Sequence, residues 1–68
     1  MANLIEGLLE EMNRVRELVT QYESLSDNAG WFGATMMKDV IKRTEQAIAK
    51  GDVVEEVKLY QELKDCTG

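Results

Sequence analysis

Apolar side chains recur at alternating spacings of three and four residues through the first third of the chain. The repeating positions are Ile5, Leu8, Met12, Val15, Val19 and Tyr22, and the flanking ones are Leu4, Leu9, Leu18 and Leu25. This spacing places the side chains on one face of an α-helix. At 100° per residue the apolar arc spans roughly 200°, which is more than one neighbouring helix can cover. The pattern predicts a helix over about 4–25 that needs two partners.

Two later segments repeat in the same way. A helix over about 29–50 is indicated by Ala34, Met37, Ile41, Thr44 and Ile48, and one over about 53–65 by Val53, Val57, Tyr60 and Leu63. The first helix is expected to end near 24–28, where turn-forming residues are collected over 26–30 and Asn28 or Gly30 can take a left-handed conformation. Gly51 and Asp52 allow a sharp junction between the last two, which become an antiparallel hairpin. The expected fold is all-α, a long N-terminal helix followed by a helical hairpin, in one domain over 1–68.

Local signals fix where these helices begin and what interrupts their apolar faces. Asn3 and Asp52 are expected N-caps, each followed three residues later by glutamate. Gly7 lies within the apolar arc of the first helix and allows a close backbone approach. Glu11 lies there too, either at the rim of a contact or paired across one. Four residues separate Glu10 from Arg14, which is the spacing of a helical ion pair.

The length of 68 residues leaves the chain marginally stable, because so short a chain buries only roughly 60% of its unfolded surface. Cys66 is the only cysteine and histidine is absent, so we expect no disulfide, metal or other cofactor. Self-association is the remaining remedy, and a symmetric homodimer through the first helix is predicted. The interface candidates are Leu4, Ile5, Leu8, Leu9, Met12, Val15, Leu18, Val19 and Tyr22.

Charge is unevenly distributed along the chain, whose net charge is −5. Residues 1–27 carry −4, residues 28–51 carry +2 and residues 52–68 carry −3. A cationic helix between two anionic ones favours three helices packed side by side. The acidic balance argues against direct nucleic-acid binding, which requires clustered Lys and Arg. No basic leader or long apolar run is present, so we expect no membrane association and a cytoplasmic location.

Four residues near the start of the second helix are candidates for protein binding: Trp31, Phe32, Met36 and Met37. One hypothesis is that Trp31 and Phe32 fold over the end of the bundle as a lid, since large aromatics usually belong to the core. The other is that they form an exposed anchor beside two adaptable methionines, because Trp is enriched at binding hot spots and Met at surfaces that remould.

The residues that resemble catalytic groups lack the necessary partners. Neighbouring carboxylates at 10–11 and 55–56 point about 100° apart on a helix and do not face one substrate. Cys66 has no histidine to activate it. We therefore expect no enzyme but a small protein-binding module, an inhibitor or an adaptor. The alternatives are an acidic nucleic-acid mimic that blocks a DNA-binding or DNA-processing protein, and a structural assembly subunit.

Two resemblances follow from particular segments. Residues 47–52 with 55–60 resemble a junction between tetratricopeptide helices, but the repeat does not recur, which excludes a solenoid. The whole chain resembles the small acidic helical proteins encoded in phage and prophage regions of bacteria. That resemblance is carried by size, by the 30–34 Gly-Trp-Phe-Gly-Ala sequence followed by two methionines, and by the Gly-Asp hairpin. It implies binding to a host protein that is blocked or redirected.

Overall fold

The computed structural model describes residues 3–25 and 28–66. They form three helices that pack together: α1 (Leu4–Glu23), α2 (Asn28–Lys50) and α3 (Val53–Asp65). The all-helical prediction is confirmed. Helix α1 ends two residues earlier than expected, and α2 begins one residue earlier, at Asn28, so that Trp31 and Phe32 lie inside a regular helix. Two of the expected turn formers, Ser26 and Asp27, lie outside the described residues, and the other three, at 28–30, belong to the first turn of α2 and not to a turn between helices.

The helix ends follow the expected local chemistry. The side chain of Asn3 accepts a hydrogen bond from the Glu6 amide at 2.9 Å, and that of Asp52 accepts one from the Glu55 amide at 3.2 Å. Gly51 has a φ of 69°, the left-handed conformation that glycine adopts without strain. The amides of Gly51 and Asp52 donate to Ile48 and Ala47 carbonyls, each at 3.1 Å, which closes α2 in a Schellman motif. The helical hairpin therefore turns within two residues.

A single apolar core lies between the three helices. Its buried members are Leu8, Met12, Val15 and Val19 of α1, Ala34, Met37, Val40, Ile41 and Ala47 of α2, and Leu59 and Leu63 of α3. The buried hydroxyl of Thr44 donates to the Val40 carbonyl at 2.8 Å, so this polar group is satisfied within its own helix. The core thus uses the central part of the apolar stripe expected for α1.

The apolar arc of α1 receives most of its cover from α2 and α3. Among the nine expected dimer-interface residues, the four central ones (Leu8, Met12, Val15 and Val19) are core residues, and Leu4, Leu18 and Tyr22 are half-buried against them. Ile5 and Leu9 are exposed. Most of the surface predicted to bind a second copy is therefore covered by α2 and α3 of the same chain. Ile5 and Leu9 are the members of that set that remain open.

The buried face of α3 differs from the predicted one. Val53 and Val57, expected in the apolar stripe, are exposed, as is Val54. Leu63 of the predicted stripe is buried and Tyr60 is half-buried, as expected, while Leu59, expected beside the stripe, is fully buried in place of the two valines. A leucine buries more apolar area than a valine, so this rotation of the helix stabilises the bundle more. It also buries Glu56.

Ion pairs connect the cationic α2 to both anionic neighbours. Lys38 of α2 binds Glu23 of α1, and Arg43 of α2 lies 3.2 Å from Glu62 of α3, as the alternating charge of the three segments predicts. A third pair, at 3.7 Å, has the opposite polarity and joins Arg16 of α1 to Glu45 of α2. Because all these side chains are largely exposed, each pair is worth about 0–1 kcal/mol and acts mainly on register. None of the described helices is long and apolar enough to cross a membrane.

Candidate protein-binding groove

The three helices differ in length, and the difference leaves one end of the bundle incomplete. Helix α2 has 23 residues and α3 has 13. With a rise of about 1.5 Å per residue, α2 extends about 15 Å beyond the point where α3 ends. The tight turn at Gly51 prevents α3 from sliding along α2 to close this gap. The N-terminal part of α2 therefore has α1 beside it and no third helix from the described part of the chain.

A groove of about 400 Å³ lies where α3 stops. It is lined by Tyr22 of α1, by Gly33, Met36, Met37 and Val40 of α2, and by Glu62, Asp65 and Cys66 at the end of α3. We call this the α3-end groove. Its walls are mostly apolar, and two carboxylates and a thiol lie at the end of α3, which is the composition of a site that binds an apolar group and orients it with a few polar ones.

Gly33 and Tyr22 shape one wall of the α3-end groove. A Cβ atom added at Gly33 would lie 2.6 Å from Cδ2 and 2.7 Å from Cε2 of the Tyr22 ring. No real side chain tolerates such a distance, so the ring packs directly on the backbone of α2. Gly7 makes a similar approach to Tyr60, where an added Cβ would lie 3.0 Å from Cε2. Glycine is needed at position 33 because an aromatic ring occupies the space of a side chain, whereas at position 7 a small shift of the Tyr60 ring would make room for one.

Arg14 holds the end of α3 at the groove. Its Nη1 donates to the Cys66 carbonyl at 2.8 Å, and its Nη2 donates to the Leu63 carbonyl at 2.7 Å. Its Nε donates to Glu11 at 3.2 Å. The predicted ion pair between Glu10 and Arg14 is wrong. Arg14 pairs instead with Glu11, which is half-buried. Arg14 thereby supplies donors and positive charge to carbonyls at the negative end of a helix.

Cys66 is a half-buried thiol beside this cap. Its Sγ lies 3.4 Å from the Glu62 carbonyl, to which it donates. Burial raises the pKa of Cys66, with the nearby positive charge of Arg14 opposing the shift and the carboxylates of Asp65 and Glu62 adding to it. The group is therefore protonated at neutral pH, and a protonated thiol is a weak nucleophile. None of the described residues forms a cluster of three potential metal ligands.

The N-terminal part of α2 that extends beyond the end of α3 is called the overhanging part of α2 below. Three of the four binding candidates from the sequence lie exposed on it. Trp31 is 67% exposed, Phe32 60% and Met36 57%. Phe32 and Met36 are four residues apart and share one face of the helix, beside the groove. Met37 is only 6% exposed, so its side chain belongs mainly to the core, although it also forms part of the groove lining. The lid hypothesis is wrong, because Trp31 and Phe32 project from the helix instead of folding over its end.

The groove residues outside α2 were not predicted from the sequence to belong to a binding groove. Glu62 and Asp65 gave no signal, since isolated carboxylates on a helix are ordinary surface residues. Tyr22 was assigned to an interface with another copy. The available signal was the difference between the predicted helix lengths, because a hairpin with unequal arms necessarily leaves the longer arm partly uncovered.

A comparison with known protein families, with curated proteins and with solved structures found no significant match.

Proposed function

We propose that this chain is a non-enzymatic protein-binding module, acting as an inhibitor or an adaptor, and that the overhanging part of α2 is its contact surface. One observation carries the proposal: Trp31, Phe32 and Met36 are each more than half exposed on the stretch of α2 that α3 does not reach. Exposed apolar residues that occur singly need no explanation. Phe32 and Met36 share one face of α2 beside the groove, and Trp31 is exposed about 100° further round the helix. Large apolar side chains exposed this close together are typical of an interaction surface.

The side chains at this surface are those that contribute most to protein interfaces. Trp is among the residues most enriched at binding hot spots, and methionine adapts its shape to a partner. Burying one such side chain is worth about 1.5–3 kcal/mol, so the three together can carry a specific contact. They lie on a helix that is held by the core through Ala34 and Met37, so little order has to be gained on binding.

Nucleic-acid mimicry has less support. A mimic presents a row of unneutralised negative charges, whereas several carboxylates of the described residues are paired with arginine or lysine. These are Glu11, Glu23, Asp39, Glu45 and Glu62. The remaining acidic side chains are dispersed over α1 and α3. A mimic would bind a basic protein with an affinity that falls steeply with salt, whereas an apolar contact is largely salt-tolerant.

Self-association through α1 also has limited support. Ile5 and Leu9 are the exposed members of the expected interface, and two side chains provide far less than the roughly 800 Å² per partner of a standard interface. We therefore place the functional contact on α2. An assembly subunit would bind through such a surface as well, and the identity of the captured partner distinguishes it from an inhibitor.

The test is a comparative capture experiment with matched variants. Tagged wild-type chain and the double variant Trp31→Ala/Phe32→Ala are incubated with a lysate of the organism that encodes the chain. Val54→Ala is the control, because Val54 is also exposed but lies at the start of α3, at the opposite end of the hairpin. The proposal expects a protein that wild type and Val54→Ala retain and the double variant loses.

The fold of each variant is checked by circular dichroism and urea denaturation. Since both aromatics are exposed, the double variant should unfold within about 1 kcal/mol of wild type. A partner retained equally by all three proteins would contradict the proposal. So would a large loss of stability in the double variant, because it would assign the aromatics to the fold and not to an interface.

A further inference from the structure

We infer that the α3-end groove takes a short, basic, amphipathic helix from the partner protein. This inference rests on the proposed function and deepens it by naming the chemistry of the partner. The occupant lies beside α1 and α2 in line with α3 and completes the missing third helix of the bundle end. The length of α2 beyond α3 sets its length to about ten residues, or about 15 Å.

Shape supports a helix as the occupant. The groove continues the course of α3, and α3 itself shows that a helix fits between α1 and α2 with Leu59 and Leu63 pointing inward. An occupant would therefore place apolar side chains at i, i+3 or i+4, and i+7 against Met36 and Val40. The Tyr22 ring, seated on Gly33, forms a flat apolar wall on the α1 side.

Charge supports a basic occupant. The carboxylates at the closed end of the groove are Glu62 and Asp65, and the chain as a whole carries −5. None of the ion pairs among the described residues includes Asp65. The nearby cations are already engaged: Arg14 with Glu11 and the carbonyl end of α3, and Arg43 with Asp39 and Glu62. Glu62 is thus paired with Arg43, and Asp65, which accepts a hydrogen bond from the Gln61 side-chain amide at 3.2 Å, carries the negative charge that an incoming lysine or arginine would meet.

The same charges disfavour a second copy of this chain in the groove. Two copies of net charge −5 repel one another, and the apolar faces of α1 and α3 that would serve as inserted helices already form the core. Exposed apolar residues remain on α3 at Val53, Val54 and Val57, but they lie beside the carboxylates of Asp52 and Glu55. A copy would therefore bring carboxylates to a groove that already has two. The basic helix fits better.

The test selects the occupant from a library instead of presupposing it. A displayed library of twelve-residue peptides with helical propensity is selected on the immobilised full chain. Acidic, basic and apolar residues are equally represented at its varied positions. The peptide length allows for about ten contacting residues and the two ends. The inference expects enriched peptides with apolar residues at helical spacing and a clear excess of Lys and Arg. Their binding should weaken as salt rises.

Two groove variants and two matched controls locate the binding site. Met36→Asp should weaken the selected peptides by more than about tenfold, since it places charge on an apolar wall. Asp65→Lys should weaken them by about tenfold through lost attraction and new repulsion. Lysine in the last turn of α3 suits the helix dipole, so this variant should remain folded. The controls, Val54→Asp and Glu10→Lys, make the same changes at exposed positions far from the groove and should leave affinity unchanged.

Every outcome decides the matter. Neutral or acidic peptides, an absence of enrichment, or equal effects of groove and control variants would each overturn the inference. A wild-type dimer that Met36→Asp dissociates would overturn it in favour of a second copy. If the partner captured from the lysate depends on Trp31 and Phe32 but not on Asp65, the proposed function stands and the basic helix falls. If that partner depends on none of them, both fail.

Discussion

At the scale of single residues, the contact between Gly33 and Tyr22 determines the shape of the groove. Alanine at an exposed helical glycine normally stabilises a helix by about 1 kcal/mol. At position 33 the added methyl would lie 2.6 Å from the Tyr22 ring, so the ring has to leave its place. We expect Gly33→Ala to destabilise the chain by about 1–2 kcal/mol, the usual cost of overpacking, as measured by urea denaturation.

A double-mutant cycle separates this clash from other effects of the substitution. In a Tyr22→Ala background the space is empty, and Gly33→Ala should then stabilise the helix by about 1 kcal/mol. The sign of the effect would reverse between the two backgrounds, which is the signature of direct contact. Equal effects in both would show that the ring does not pack on the glycine.

Cys66 gives a second residue-scale prediction, because it is the only thiol in the chain. Burial raises the pKa of Cys66, so the folded state holds this proton to a higher pH than the unfolded state does. The stability contributed by the protonated thiol is therefore complete below the ordinary thiol pKa and is lost as pH rises through the folded value. Alkylation by iodoacetamide should be slower than for the urea-unfolded chain, with its pH midpoint displaced upward.

The Cys66→Ser variant supplies the control for the stability measurement. Tyrosine and lysine also titrate at high pH, so only the difference between wild type and Cys66→Ser reports the thiol. As pH rises, the free energy of unfolding of wild type should fall relative to that of Cys66→Ser. An alkylation profile identical to that of the unfolded chain would mean that the thiol is not shielded at the end of α3.

At the scale of elements, Arg14 of α1 links two helices by binding the last carbonyls of α3. Hydrogen bonds to a charged group are worth about 1.5–3 kcal/mol, but this side chain is partly exposed and water replaces part of the interaction. We expect Arg14→Met to destabilise the chain by about 1–2 kcal/mol in urea denaturation. Arg16→Met is the matched control, because the contacts of Arg16 with Glu45 at 3.7 Å and with Asn13 at 3.2 Å are both exposed, and their loss should cost less than about 0.5 kcal/mol. Equal losses would show that the cap contributes nothing specific.

What the sequence predicts at the scale of elements depends on whether the signal is local. The caps at Asn3 and Asp52 and the turn at Gly51 involve neighbours in the chain, and each is found as expected. The rotation of α3 was not predictable in this way. Leu63 has helical spacing both with Val53 and Val57 and with Leu59, and only packing against α1 and α2 selects the face that contains Leu59. Arg14 reaches carbonyls about fifty positions away in the chain, beyond any local pattern.

The same distinction applies to the candidate site. The overhanging aromatics stood out because Trp31 and Phe32 lie outside the core arc of α2, and the structure leaves both exposed. The groove beside them is a tertiary feature that requires Tyr22, Met36 and the end of α3 to meet. Sequence pattern identifies side chains with no place in the core. Only the packed structure shows what surface they border.

At the scale of the whole molecule, the question is whether one chain is a complete folding unit. Leu8, Met12, Val15 and Val19 are covered by the same chain, which removes the main reason to expect a dimer through α1. Net charge of −5 adds repulsion between copies. We therefore expect sedimentation equilibrium at micromolar concentration to give the monomer mass of 7.7 kDa, independent of loading.

Two variants make that measurement informative in either direction. Leu9→Asp places charge on the residual apolar surface of α1, and Met36→Asp places it on the groove. If wild type sediments at twice the monomer mass, the variant that restores the monomer identifies the interface. Dissociation by Leu9→Asp would show that the dimer forms through the exposed apolar surface of α1. The functional contact would then lie on α1 and not on α2. A monomer in all three proteins leaves the overhanging part of α2 as the surface available to a different protein.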